Sequence, residues 1–490
     1  MVNVSISRFQ REHFQRSVKL RELRLIGNSI AFIPDSTFAG LRNLQHLSFL
    51  RNNISSLSPD MFMGLSSLIT LDISKNKLKF IPAGTFSNLP RLEKLILVGN
   101  EINTLVPRGF WSFQELLELN LGNNNISSIA SDALKGLHVL RRLILSRNRI
   151  SNISKQTFSE LYRLKSLDLL SNQIDLIEHG AFENMQRLHD LHLGGNRIKT
   201  LSANIFRGLN ELRTLDLAEN SISIIRSYTF NILQHLRELY IDSNQLRSLQ
   251  RYTFYGLSHL RLLQLDNNKL VEIDEFTFAD MPKLEGLRLN RNKVREIKKN
   301  TFSGLINLKF LHMTNNQLEV IHREGLSPLP NSSILEIFGS KMSCTCTFIE
   351  TLKSLNMKFL QADCHNTLEG HKNMASIPTP SSHDLQMSPW VEWKNCETGR
   401  CEHGSLIRTS KCKSCNETNS PLCVIHDTHH CVIIALQEKE SQGGGVGEQE
   451  IECQRLGCDH CYKSAGKWFW DNKLMIQWVI IVLGLAFQLQ

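Results

Sequence analysis

From Leu20 onward the chain repeats itself every 24 residues, thirteen times without insertion or deletion. The unit reads LxxLxLxxNxIxxIxxxxFxxLxx, and its copies begin at Leu20, Leu44, Leu68, Leu92, Leu116, Leu140, Leu164, Leu188, Leu212, Leu236, Leu260, Leu284 and Leu308. A period of this length marks a stack of small units, none of which can bury its apolar face alone. In the LxLxx segment side chains alternate between the faces of a short strand, so Leu23 and Leu25 are expected inside and Arg24 in solvent. The ninth residue is asparagine in every copy, from Asn28 to Asn316. Its amide can both donate to and accept from the backbone groups that the following bend leaves unpaired, so stacked copies are expected to form a ladder. A phenylalanine closes the outer wall in eleven copies, with Leu134 and Leu326 in the other two, which predicts a continuous spine.

These motifs, over residues 20 to about 331, resemble the extracellular 24-residue type of the leucine-rich repeat family. The resemblance implies an α/β-type leucine-rich repeat solenoid, curved, with a parallel β-sheet on its concave face. It is similar to receptor and adhesion proteins that join such repeats to immunoglobulin-like domains, although no immunoglobulin module is present here. One period before the first full copy, Ile6, Phe9 and Phe14 fall where Ile30, Ile33 and Phe38 stand. Residues 1–19 are therefore expected to be part of an earlier repeat, with the N-terminal cap and signal peptide missing through a truncated gene model, an alternative start or a fragment.

Cysteine divides the chain sharply: all twelve lie between Cys344 and Cys461, a density expected of small oxidised modules. Cys344, Cys346 and Cys364 resemble the C-terminal flanking cap of extracellular leucine-rich repeats, expected over 332–380, without the usual WL pair and without a fourth cysteine before Cys396. Over 388–461, Trp390, Trp393, Cys396, Cys401, Gly404, Arg408 and Cys412 resemble a thrombospondin type 1 repeat, a small disulfide-rich β module. That resemblance implies a ladder of Trp390, Trp393 and Arg408 with disulfides in place of a core. Ser410 stands where a second arginine is common, and the later spacing departs from the pattern. Cys415, Cys423, Cys431, Cys453, Cys458 and Cys461 are expected to be disulfide-bonded too, with the pairing open. The pairs Cys412/Cys415 and Cys458/Cys461, near His426, His429, His430 and His460, also suit zinc. The even cysteine total favours disulfides, and neither a metal nor another cofactor is expected.

The last 17 residues, LMIQWVIIVLGLAFQLQ, are uncharged and mostly apolar. Residues 464–490 read as a lipid-anchor attachment signal with Ser464 as the attachment point, as a tail helix behind the aromatic belt Trp468, Phe469 and Trp470, or as a buried or processed tail. The first two place the chain on a membrane. Glycosylation sequons occur at Asn3, Asn53, Asn125, Asn152, Asn331 and Asn416. Those inside the repeats fall one or four residues past the ladder position, outside the strand, and leave the concave face free of sugar.

Thirteen strands about 4.8 Å apart span roughly 60 Å, ample for a partner interface of about 800 Å² per side. In repeats seven to eleven the outward positions include Asp168, Asp190, His192, Asp216, Glu219, Glu238, Tyr240, Asp242 and Asp266, an acidic patch on a basic protein. Arg288, Phe310 and His312 follow as a mixed basic and aromatic end, and Tyr240, Leu262 and Phe310 are the candidate anchors. No GxSxG, HExxH or phosphate-loop pattern occurs, so the expected role is non-enzymatic. The net charge of +9 is too small to call for nucleic acid. The expected partners are an extracellular protein ligand or co-receptor, a glycosaminoglycan through the C-terminal module, and the membrane through the tail. A secreted innate-recognition or matrix-binding protein is the alternative, and a cytosolic scaffold with reduced thiols a further rival.

Overall fold

The computed structural model describes residues 3–4, 14, 17–202, 204–340, 355, 359–364, 422–427 and 430–436. The chain divides into two units, Met1–Met342 and Ser343–Gln490. In the first, each repeat opens with a three-residue strand, from Glu22–Arg24 to Phe310–His312. Successive strands pair in parallel one repeat apart, with Leu23 opposite Leu47, Leu47 opposite Leu71 and so on to Leu287 opposite Leu311. The result is a parallel-strand solenoid of about thirteen coils. Within each strand the central leucine is buried and its neighbours face outward, as the alternation requires: Leu23 and Leu25 are buried while Arg24 is exposed.

The asparagine ladder forms. Asn172 is representative: its Oδ1 accepts from the Ile150 N–H at 3.0 Å, and its Nδ2 donates to Leu145 O at 3.0 Å and Leu169 O at 3.1 Å. One buried side chain thus joins its own bend to the two backbone segments of the preceding coil. The residue before each ladder asparagine takes a left-handed conformation, even where it is not glycine: φ is 58° at Arg51, 56° at Arg147 and 54° at Glu219. Such a conformation disfavours a β-carbon by about 1–2 kcal/mol. The turn is held by hydrogen bonds to the next coil, including Arg147 N–H to Leu170 O at 2.8 Å.

The outer wall is filled by phenylalanine rings, but in runs instead of one column. Phe62, Phe86 and Phe110 stack at 6.0 and 6.4 Å; Phe158 and Phe182 at 6.5 Å; Phe206, Phe230, Phe254, Phe278 and Phe302 at 5.9 to 6.1 Å. Leu134 stands between the first two runs, so the expected continuous ring spine is broken there, although Leu134 and the rings on either side are all buried. Phe14 is buried against Phe38 at 5.7 Å, where a preceding repeat would place it.

The α/β label needs correction too. Among the described residues the only helix is the four-residue Arg323–Leu326. Elsewhere the return path is a series of turns closed by bonds such as Leu41 N–H to Phe38 O at 2.9 Å and Leu44 N–H to Leu41 O at 3.0 Å, because so few residues separate the phenylalanine from the next strand. Short two-residue strands pair on a second side of the solenoid. Asn152 opens one of them, opposite Leu176, so this sequon lies within a strand after all, though away from the main sheet. Asn3, Asn53, Asn152 and Asn331 are exposed and Asn125 is half-buried.

A fourteenth strand, Ile334–Ile337, pairs with Phe310–His312 and carries the sheet past residue 331. Ser332 and Ser340 stand there in place of the leucine and asparagine that made the other copies visible. In the second unit three strands are described: Phe359–Cys364 and Leu422–Asp427 each pair antiparallel with His430–Leu436. Cys364 is the register partner of Cys431, joining segments that the sequence assigned to the cap and to the thrombospondin-like module. Cys344, Cys346, Cys396, Cys401, Cys412, Cys415, Cys453, Cys458, Cys461, Trp390, Trp393, Arg408, Asn416 and Ser464 lie outside the described residues, as does the apolar tail. Among those described, no helix is long and apolar enough to cross a membrane.

Removing the Asn172 side chain leaves the buried Ile150 N–H without its acceptor, at about 1–3 kcal/mol, while Leu145 O and Leu169 O keep the Nδ2 donors of Asn148 and Asn196. Asn172→Ala is expected to lower stability by about 1–3 kcal/mol in urea unfolding, against less than about 0.5 kcal/mol for exposed Asp175→Ala.

Candidate binding face

The strand register assembles the outward residues into rows. One runs Asp168, His192, Asp216, Tyr240, Gln264, Arg288, His312 and Glu336, each paired with the next across a single strand spacing. A second, two residues earlier in each repeat, contains Asp190, Glu238, Leu262 and Phe310. Asp242 and Asp266 lie just beyond the strands, and Glu219 occupies the left-handed bend beside Asn220. All thirteen residues singled out from the sequence therefore reach the same face. Gln264 and Glu336 belong to the first row as well, and neither charge patterning nor aromatic content had marked them.

Part of the acidic character serves local structure. Asp168 Oδ1 accepts from Leu170 N–H at 3.0 Å and Asp216 Oδ1 from Ala218 N–H at 2.9 Å. Asp72 and Asn120 make the same bond at equivalent positions outside the patch. Asp266 instead reaches the next repeat, accepting from Asn290 N–H at 2.7 Å. Each of the aspartate bonds engages one carboxylate oxygen.

Crowding and partial burial then raise proton affinity. Burial pushes Asp242 up to about 6, with the Asp266, Asp216 and Glu219 carboxylates adding to the effect and a backbone hydrogen bond opposing it. Asp216 is raised by burial against the opposing Ala218 N–H and His192, which stands 3.9 Å from it. Asp266 is raised by burial too, but its Asn290 hydrogen bond and Arg288 counteract. Tyr240 donates its hydroxyl proton to Glu238 Oε2 at 2.9 Å, and burial followed by that bond raises its pKa.

The other end of the face differs in kind. Burial, followed by the nearby Arg288 guanidinium, lowers His312 to about 4. At neutral pH its 3.7 Å approach to Glu336, itself raised by burial, is therefore not a charge pair. The Phe310 ring covers Gly286: a β-carbon built there would stand 2.1 Å from the ring. Phe310 also leans on His312, with centroids 5.1 Å apart. Gly286 is thus a positioning residue for this anchor, invisible in sequence because its neighbour lies 24 positions away. Leu262 sits beside it, half-buried, between Glu238 and Gly286 in the register.

A family model described as leucine rich repeat matches residues 18–78, 66–126, 114–174, 162–222, 186–246, 234–294 and 283–342. Keratocan of Gallus gallus and keratocan of Coturnix japonica are each 45% identical over 60 residues, 12% of this chain; the match spans 17% of either relative. Among solved structures, a TLR13–ssRNA13 complex aligns with a TM-score of 0.56 at 25% identity, covering 69% of this chain and 53% of the other. The Toll–Spatzle complex of Drosophila aligns at 0.51 with 21% identity, covering 72% and 59%, a likeness of fold. An RNA complex on a similar solenoid removes fold as a ground for excluding nucleic acid; that expectation rested on net charge, which here is distributed by face.

The raised Asp242 has a defined linkage to stability. Its contribution is fully present below the unfolded value near 4 and is lost as pH rises through about 6, so at neutral pH the carboxylate is held at a cost. Asp242→Asn is expected to raise the Tm at pH 7.5, by on the order of 1–2 kcal/mol of stability, with the gain vanishing by pH 4. Paired thermal melts across that range check it.

Proposed function

Because the chain belongs to the leucine-rich repeat family, we propose that it is a non-enzymatic extracellular binding protein that takes a protein ligand or co-receptor on the concave face of repeats seven to thirteen, in adhesion or receptor signalling. The observation that carries this reading is the uninterrupted row from Asp168 to Glu336, in which acidic, imidazole, phenol, amide and guanidinium groups are half-buried side by side. Partly desolvated polar groups of mixed type suit recognition of a protein surface, where charge complementarity sets orientation and aromatic anchors supply much of the energy. Phe310, held by Gly286 and His312, and Tyr240, tied to Glu238, are presented with little freedom to lose on binding.

The test is a binding screen of the full chain against a library of extracellular domains, repeated with Tyr240→Ala and Phe310→Ala. A partner of this face is expected to lose about 30-fold or more in affinity with either variant. A partner that binds both variants as tightly as the parent chain would place the contact elsewhere.

Attachment at the outer face of the plasma membrane through residues 464–490 belongs to the same proposal. Expressed behind a signal peptide, the chain is expected to leave intact cells on treatment with a phosphatidylinositol-specific phospholipase. Retention would indicate a tail helix, and appearance in the medium without enzyme would favour the secreted recognition or matrix-binding alternative.

A further inference from the structure

A second periodic surface borders the sheet. The residue immediately before the outward row of each strand is Arg141, Lys165, His189, Arg213, Arg237 and Arg261 in repeats six to eleven. These six are wired together through their backbones. Lys165 donates its N–H to Arg141 O, His189 to Lys165 O, Arg213 to His189 O and Arg237 to Arg213 O, each at 2.8 Å, and Arg261 to Arg237 O at 2.7 Å. The five arginine and lysine side chains are exposed and His189 is half-buried. At about 4.8 Å per coil the ladder runs roughly 24 Å.

The cations are largely uncompensated. Among the described residues Arg141, Lys165, Arg213 and Arg237 form no ion pair; His189 lies 3.5 Å from Glu211, and Arg261 3.9 Å from Glu285. Arg163 and Arg187, two residues before Lys165 and His189, add exposed positive charge to the same border. Ile69, Glu93 and Leu117 precede the ladder in the earlier repeats, and Glu285 follows it, so its extent is defined at both ends. Like charges held in line at this spacing repel one another in the free protein, and a linear polyanion relieves that repulsion while releasing its own counterions.

We propose that this border is a binding site for a sulfated glycosaminoglycan chain. The site lies in the repeats, separate from the C-terminal module, and is independent of whatever occupies the concave face. Two observations favour a sulfated polysaccharide over a nucleic acid. Proteins that hold single strands add aromatic platforms for the bases, whereas the ladder carries guanidinium, ammonium and one imidazole. Two ring pairs lie close to the ladder in sequence, His138 with Tyr162 at 6.4 Å and His235 with His259 at 6.0 Å, and in both the rings are already stacked on each other, with His235 and His259 also bound to Asn210 O and Gln234 O. Guanidinium groups also match the geometry of oxyanions such as sulfate and carboxylate.

The test uses the full chain on immobilised heparin, with dissociation constants for a heparan sulfate fragment measured at physiological ionic strength. The triple variant Lys165→Gln, Arg213→Gln, Arg237→Gln is compared with Arg149→Gln, Arg197→Gln, Lys293→Gln, which removes the same charge from exposed positions just past the asparagine ladder. The first is expected to elute at lower salt and to bind at least about tenfold more weakly, with the second within about twofold of the parent chain. Equal weakening in both variants would reduce the effect to net charge and overturn the proposal. So would unchanged binding in the first, which would move the contact to the C-terminal module, or tighter binding of a length-matched single-stranded RNA than of the heparan sulfate fragment.

Discussion

Everything in the repeat unit depends on a buried amide. The bend after each strand carries backbone groups that the sheet cannot satisfy, and burying each of them unpaired would cost about 1–3 kcal/mol in every coil. The asparagine at the ninth position removes that penalty by bonding to two coils at once, and in doing so fixes where the next coil begins. The strands then fall into register, and the phenylalanines and leucines of the outer wall meet their counterparts. Register in this molecule is set by a polar contact, with the apolar core following from it.

The same lock positions the candidate binding surface. Asp216, Tyr240 and Arg288 are 24, 48 or 72 residues apart in sequence, yet they share one row because every coil is held at the same phase. The price is paid locally at the preceding bend, where Arg147 and Glu219 accept a backbone conformation that suits glycine better. Side chains at that bend gain a fixed direction, which is why Glu219 joins the acidic group near Asp242.

Leucine and asparagine positions were legible because each performs one task thirteen times, and phenylalanine because it does so eleven times, so the pattern survives variation elsewhere. The outward rows followed from strand alternation alone. The fourteenth strand was hidden because Ser332 and Ser340 lack the marker side chains while the backbone still pairs. The α/β label overstated the helix content because it came from the family, and not from the few residues available on the outer wall. Contacts across coils, such as Phe310 over Gly286, have no local signature. The basic border escaped notice since it precedes the strand, where alternation makes no statement about direction.

A backbone-linked series of charges at constant spacing behaves as a ruler. A polymer whose own charges recur at a different interval meets it in phase only at certain rungs, as two scales of a vernier coincide at certain marks. Affinity then grows with polymer length in steps, each new coincidence adding a contact. Such a surface would discriminate among polymers by their repeat distance more than by total charge.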